Sequence, residues 1–228
     1  MKRQILLLAI VTFLVASCTE PITREEPTNP NQIVSLGFYS LSEETRNFTP
    51  YFNVTTMIFV DAEGTEFEWR MQQPNITDAF SFTRTFPHPF QSGFIDYKYA
   101  GERVIFEFLC TELGAKVLVQ LEPDFCRDPM LDDDVVPTNY VNVRGRGFNA
   151  NDVTLPNPVL SIATSENQAC RGARNLGTVT LIDRTFDRVT SNRQELDDER
   201  FLEVYFTPDE GLVGIRTGYM FLELKEAF

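Results

Sequence analysis

The residues best suited to chemistry in this chain are acidic, and five of them fall in one short segment. The stretch "DFCRDPMLDDD" contains Asp124, Asp128, Asp132, Asp133 and Asp134. Calcium takes six to eight oxygen ligands from clustered carboxylates of this kind. However, a proline interrupts the segment, and the spacing of its acids differs from that of an EF-hand loop. The favoured interpretation is a solvated loop, and a calcium site is the alternative.

Cysteine and histidine offer few further candidates. Cys110 lies on the face of the predicted strand shared with Val104, Phe106 and Phe108, so we expect a buried, inert thiol. Cys126 and Cys170 stand in polar segments that are typical of loops, and a disulfide between them is one of two open outcomes. The single histidine, His88, lies between two prolines in "FPHPF". This stretch predicts a rigid structural or surface loop.

Catalytic and cofactor motifs are weakly represented. Paired carboxylates can hydrolyse glycosides, but with 33 acidic residues some pair lies at a suitable separation by chance. We find no phosphate-binding loop and no dinucleotide fingerprint, so we expect no enzyme and no cofactor. Five aromatic residues could instead form a carbohydrate platform, with packing in the core or on a sheet face as the favoured reading. They are Trp69, Tyr97, Tyr99, Tyr140 and Tyr219.

The elements that would position these residues are β-strands. The segments "RVIFEFLCT" and "AKVLVQLEP" flank a short glycine-containing link, and "TTMIFVDAEGTEFEWRM" turns at residues 61–64. Alternating runs joined in this way predict hairpins. Residues 192–200 could form two turns of helix or a solvated loop. The predicted fold is all-β and mainly antiparallel, a meander, sandwich or half-open barrel with little helix.

The amino terminus resembles the signal peptide of bacterial lipoproteins. A positive head is followed by the apolar run 5–16 and by Val15-Ala16-Ser17-Cys18, which matches the lipobox of that family. The run is too short to span a bilayer comfortably. The resemblance implies removal of residues 1–17 and acylation of Cys18. Thr19, in place of an aspartate, implies sorting to the outer membrane, on either its periplasmic or its surface face.

Net charge limits the partners that the chain can bind, and proline content indicates where its folded part begins. The formal net charge is −13, which disfavours nucleic acid and anionic headgroups as partners. Residues 18–32 contain three prolines and no apolar periodicity, so we expect a lipidated tether that makes few contacts with the body. Residues 33–228 are predicted to form one all-β domain.

The carboxyl-terminal segment resembles the end of many uncharacterised lipoproteins of the Bacteroidota. The resemblance rests on "GTVTLIDRTFDRVT" and "VYFTPDEGLVGIRTGYMFLEL", about 50 residues whose shared positions are apolar strand residues and Gly211. It implies a fold and no particular activity. We expect Gly211 to lie where the backbone needs a positive φ or a close approach.

Three functions remain open. The leading hypothesis is a lipid-anchored β-domain that binds or scaffolds a protein or glycan of the cell envelope. The second is a carrier that encloses an apolar ligand in a curved sheet, which requires a large apolar cavity. The third is a hydrolase, which requires a concave site with carboxyl groups of separated pKa.

Overall fold

The computed structural model describes residues 32–72, 75–88, 92–128, 134–147, 158–164, 173–195 and 201–228. The predicted signal peptide, Cys18 and all but the last residue of the predicted tether therefore lie outside the described residues. Within the described ranges, no helix has the length and apolar character needed to cross a membrane.

Within the described residues, thirteen strands form a single sheet. Their bounds are β1 Ile33–Tyr39, β2 Thr56–Val60, β3 Glu66–Met71, β4 Asn75–Pro87, β5 Phe94–Cys110, β6 Ala115–Asp128, β7 Asp134–Arg146, β8 Leu160–Ala163, β9 Arg174–Thr180, β10 Thr185–Glu195, β11 Phe201–Thr207, β12 Gly211–Thr217 and β13 Phe221–Ala227. The strand order is β8-β7-β6-β5-β3-β2-β13-β12-β11-β10-β9, and β1 and β4 pair with the amino-terminal part of β5. All pairs are antiparallel except β1 with β5, which is parallel.

This architecture confirms the predicted all-β class and both predicted hairpins. β5 and β6 turn through residues 111–114, and β2 and β3 turn through residues 61–65. β1 begins at Ile33. Helix is limited in the described residues to α1, Glu43–Asn47, and a 3₁₀ turn at Pro50–Phe52.

One large hydrophobic core lies inside the sheet, which folds over on itself. It joins residues from both ends of the strand order, such as Leu160 of β8 and Phe186 of β10. The two ends also meet through a hydrogen bond of 2.7 Å from Asn192 Nδ2 to the Val159 carbonyl oxygen. Because strand side chains alternate between faces, one face of the sheet supplies this core and the other faces outward.

A smaller hydrophobic cluster, called the aromatic layer, lies between a hairpin extension and a three-stranded part of the sheet. The pairing of β6 with β5 ends at Leu121, but β6 and β7 stay paired to Asp128 and Asp134. Tyr99 and Phe125 are buried there, with ring centroids 4.6 Å apart. Leu36, Tyr39, Phe82, Phe86 and Tyr97 are half-buried around them.

Two sequence-based interpretations are wrong at specific segments. Residues 124–128 were expected in a loop, yet they continue β6 because β7 pairs with them. Pro123 is tolerated there because β6 has already left β5 and forms an edge. Residues 192–195 extend β10 and pair with β11, in place of the expected helix or loop; residues 196–200 lie outside the described ranges.

Gly211 meets both conditions expected of it. Its φ is +75°, a conformation that glycine adopts without a steric penalty. A Cβ atom at this position would lie 2.3 Å from the Tyr51 hydroxyl oxygen. That hydroxyl accepts a hydrogen bond from the Leu212 backbone N–H, so Gly211 allows a buried tyrosine to join the 3₁₀ turn to β12.

Candidate functional site

The acidic segment predicted from the sequence is only partly described. Asp124 lies on β6, while Asp128 and Asp134 form the last backbone pair of the β6–β7 hairpin. Asp132 and Asp133 lie outside the described residues. Among the residues that the structure describes, no group of three or more His, Cys, Asp or Glu side chains is arranged to hold a metal ion. The calcium alternative stays a prediction.

Two of the three cysteines that follow Cys18 lie within the described residues. Cys110 is a free, fully buried thiol, as predicted. Burial raises its pKa to about 11, so it is protonated at neutral pH and poorly reactive. Cys126 lies in β6 and not in the expected loop, and Cys170 lies outside the described residues. Their disulfide stays a prediction.

The five aromatic candidates do not form one platform. Trp69, Tyr99 and Tyr140 are buried, which confirms the packing interpretation for them. Tyr97 is half-buried in the aromatic layer. Tyr219 differs from all of these, because 78% of its surface is exposed. His88 is buried at the end of β4, and its backbone N–H donates to the Gly93 carbonyl oxygen at 2.9 Å.

One group of polar side chains lies beside the aromatic layer and is called the Asp124 cluster. It consists of Arg84, Tyr99, Gln120, Glu122, Asp124 and Asn142. The Asp124 carboxylate accepts two hydrogen bonds from the Arg84 guanidinium, one of 2.6 Å from Nε. It also accepts from the Tyr99 hydroxyl at 3.0 Å and from the Phe125 backbone N–H at 2.7 Å.

Glu122 is the other carboxyl group of the Asp124 cluster. Its oxygens accept hydrogen bonds from Gln120 Nε2 and, at 2.8 Å, from Asn142 Nδ2. Ser161 of β8 donates to the Asn142 amide oxygen at 2.6 Å, which extends the network across three strands. Because alternate residues of a strand share a face, Gln120, Glu122 and Asp124 lie in one row on β6.

Burial sets the protonation behaviour of the Asp124 cluster. It raises the pKa of Glu122, and the hydrogen bonds from Gln120 and Asn142 oppose that effect. Burial and then the Asp124 charge raise the pKa of Tyr99, and the same two causes raise that of Tyr140 to about 12. The hydrogen bond to Asp124 raises the pKa of Arg84. The two carboxyl groups of the cluster therefore lie in different environments, but each already accepts hydrogen bonds from protein groups.

A second site is open to solvent and is called the turn cleft. It has a volume of about 430 Å³ and lies between the β2–β3 turn and the β12–β13 turn. Its lining residues are Asp61, Ala62, Glu63, Arg216, Thr217, Gly218, Tyr219, Met220 and Phe221. Small-molecule sites have volumes of roughly 300–1,000 Å³, so the turn cleft is large enough for a small ligand.

The sheet topology brings the two turns together. β13 pairs with β2 in antiparallel fashion, with Glu223 opposite Val60. The first residues of β13 therefore lie beside the last residues of β2, and the turns adjoining them share one end of the sheet. The sequence indicated the turn at residues 61–64 and named Tyr219. It gave no signal for this pairing, because β2 and β13 lie at opposite ends of the domain.

Arginine and phenylalanine alternate on the sheet face that leads to the turn cleft. The Arg193 guanidinium lies 3.6 Å from the Phe201 ring centroid. The Arg216 guanidinium lies 5.9 Å from Phe201 and 5.8 Å from Phe221. Rings on both sides attract a cation through their quadrupoles, so they fix the position of Arg216 at the wall of the cleft while half of its side chain stays exposed.

The Asp124 cluster and the turn cleft are the two candidate sites. No protein-family model, no curated protein and no solved structure matches this chain. Its function therefore has to follow from the chemistry of its own residues.

Proposed function

We propose that this chain is a non-catalytic binding domain, anchored by lipid to the bacterial outer membrane, and that the turn cleft is its binding site. The observation that carries the proposal is Tyr219, whose ring is 78% exposed at the wall of a cleft of about 430 Å³. A large ring left in water contributes nothing to the core, whereas it can bury its face against a ligand.

The anchor rests on the sequence. Val15-Ala16-Ser17-Cys18 resembles a lipobox, and Thr19 is compatible with sorting to the outer membrane. One acyl chain holds a protein only marginally, whereas two or three make attachment stable. Residues 18–32 would then span the distance between the headgroups and β1, which begins at Ile33.

Binding is better supported than carriage or hydrolysis. A carrier needs an apolar cavity, whereas Trp69, Phe106 and Phe206 are fully buried and packed in the hydrophobic core. A hydrolase needs carboxyl groups that face a substrate. In the Asp124 cluster, Glu122 and Asp124 face protein donors instead. The turn cleft exposes Asp61 and Glu63, but with 33 acidic residues a pair of this kind arises by chance.

Sedimentation with cell-envelope material tests the binding site. Full-length lipidated protein, held in a detergent without a sugar headgroup, is mixed with insoluble envelope material and sedimented. We expect Tyr219→Ala to weaken binding by about tenfold or more, which corresponds to about 1.4 kcal/mol. Phe94→Ala is the matched control, because Phe94 is also exposed, at 57%, and is not part of the turn cleft. Equal losses in both variants, or none in Tyr219→Ala, would contradict the proposal.

Metabolic labelling with a radioactive fatty acid tests the anchor. We expect the wild-type chain to take up label and to lose residues 1–17. Cys18→Ala should take up none and should either remain uncut or leave the membrane fraction, because it lacks the thiol that carries lipid. An intact mass of wild-type protein without added acyl chains would refute the anchor and leave the turn cleft unaffected.

A further inference from the structure

We propose that the turn cleft binds a neutral oligosaccharide, with one sugar ring stacked on Tyr219 and its hydroxyl groups between Arg216 and the carboxylates of Asp61 and Glu63. This inference rests on the proposed function, because it names the class of ligand for the same site.

Tyr219 lies on a turn whose backbone is held by hydrogen bonds, although its side chain is exposed. The Thr217 hydroxyl oxygen accepts hydrogen bonds from the backbone N–H groups of Tyr219, at 3.2 Å, and Met220, at 3.1 Å. The Thr217 N–H donates to the Met220 carbonyl oxygen at 2.8 Å. A side chain on such a turn loses less conformational freedom on binding than one on a loose loop. Its flat face suits the row of C–H groups on one side of a sugar ring.

The opposite wall holds carboxylates with unused hydrogen-bonding capacity. Asp61 Oδ1 accepts from the backbone N–H groups of Glu63, at 3.0 Å, and Thr65, at 2.7 Å. These bonds shape the turn and leave Oδ2 of Asp61 without a hydrogen bond to the described residues. The Glu63 side chain is exposed, and its carboxylate makes no hydrogen bond or ion pair within the described part of the chain. Both groups can accept from a ligand.

Arg216 supplies donors on the same cleft. Its Nη1 lies 3.9 Å from Glu203 Oε2, which is longer than a hydrogen bond. The guanidinium also shares a hydrogen bond with the Tyr205 hydroxyl. Because a guanidinium has five N–H groups, donors beyond this contact remain for a ligand, in a planar fork that can contact two adjacent oxygens. A sugar hydroxyl can both donate and accept. Two neighbouring hydroxyls could thus donate to a carboxylate and accept from Arg216 at once.

Charge favours a neutral ligand over an anionic one. The turn cleft carries two carboxylates against one guanidinium, and the whole chain has a net charge of −13. A uronate or a phosphorylated sugar would meet repulsion both locally and over longer range. A lipid tail would displace the water that solvates these charged groups, which is unfavourable. It would gain contact mainly with Tyr219, Met220 and Phe221.

Isothermal titration with defined sugars tests the class of ligand. The full-length lipidated protein, in the same sugar-free detergent, is titrated with neutral disaccharides and trisaccharides of glucose, galactose, mannose and N-acetylglucosamine. Oligogalacturonates of the same length serve as anionic probes. We expect at least one neutral sugar to bind, and to bind more tightly than any oligogalacturonate.

Four variants locate the contact. We expect Tyr219→Ala to lose about tenfold or more in affinity, while Tyr219→Phe keeps the ring and stays within a fewfold of the wild type. Arg216→Gln should weaken binding, because it removes the fork. Phe94→Ala should leave affinity unchanged. Equal unfolding midpoints for wild type and variants establish that each loss reflects contact and not folding.

The outcomes separate this inference from the proposed function. If no neutral sugar binds, or if the oligogalacturonates bind more tightly, the inference is overturned. If sedimentation with envelope material still depends on Tyr219 in that case, the binding function stands with another ligand. If neither assay depends on Tyr219, both proposals fail.

Discussion

The Asp124 cluster and the turn cleft are built from the same kinds of side chain, yet they differ in what those side chains contact. Each combines a tyrosine, an arginine and two carboxyl groups. In the Asp124 cluster, Asp124 and Glu122 accept hydrogen bonds from protein donors on every side. In the turn cleft, Glu63 and the second oxygen of Asp61 have no such donor among the described residues. Unused hydrogen-bonding capacity, and not residue type, therefore distinguishes the proposed binding site from the Asp124 cluster.

The position of each site in the sheet explains the difference. The Asp124 cluster lies where the β6–β7 extension covers the sheet formed by β1, β4 and β5, so its polar groups lose water and need partners. The turn cleft lies at a sheet end between two turns. Its polar groups keep their water in the free protein and can exchange it for a ligand.

The largest expected effect on stability is that of Asp124→Ala. The substitution removes the side-chain acceptor of the Phe125 N–H and separates Arg84 from its carboxylate. It leaves the buried Tyr99 hydroxyl with the Pro123 carbonyl oxygen, at 3.3 Å, in place of two acceptors. Hydrogen bonds to a charged group contribute about 1.5–3 kcal/mol. Because half of the Arg84 side chain is exposed, we expect a loss of about 2–3 kcal/mol in the free energy of unfolding, measured by urea denaturation.

Glu63→Ala is the matched control for Asp124→Ala. It removes an exposed carboxylate at the turn cleft, and surface changes of this kind stay within about 0.5 kcal/mol. If both variants unfold at the same urea concentration, the Asp124 cluster is not a brace and the comparison between the two sites fails.

The sequence carried much of the fold and less of either site. Alternation over Val104–Cys110 correctly predicted which face is buried, and Gly211 correctly indicated a special backbone position. The Asp124 cluster was missed, because the proline and charges of residues 123–128 are typical of a loop. Only the non-local pairing of β6 with β7 turns them into a strand. The turn cleft was missed for the same reason, since the β2–β13 pairing is invisible in either strand alone.

A smaller, pH-dependent effect is expected for Glu122→Gln. Burial raises the pKa of Glu122 above its ordinary value of 4.5, so the folded state binds a proton more tightly than the unfolded chain. Stability is therefore lost as pH rises from about 4.5 through the raised pKa, by about 1.4 kcal/mol per unit of pKa difference. Glutamine has no proton to lose, so the variant should gain stability relative to the wild type over that range.

Urea unfolding at several pH values between about 4 and 8 measures this effect. Glu63→Gln is the control, because it removes a carboxylate on the surface of the domain. Asp124 and Arg144 also act on Glu122, and both remain in the variant. A Glu122→Gln slope identical to that of the wild type would show that this carboxyl group is not protonated preferentially in the folded protein.

The smallest expected effect on stability belongs to Tyr219→Ala. The exposed ring packs little surface into the domain, and the turn keeps the hydrogen bonds of Thr217. We expect the free energy of unfolding to change by less than about 0.5 kcal/mol. A loss of about 2 kcal/mol or more, as for a buried aromatic residue, would make Tyr219 a packing residue and remove the basis of the proposed site.

Binding of Tyr219→Ala and Asp124→Ala to envelope material, measured side by side at a temperature where both are folded, tests the central claim most directly. The account predicts that Tyr219→Ala keeps its stability and loses about tenfold or more in affinity. It predicts that Asp124→Ala loses stability and binds like the wild type. An unchanged affinity in Tyr219→Ala, or a greater loss in Asp124→Ala, would contradict it.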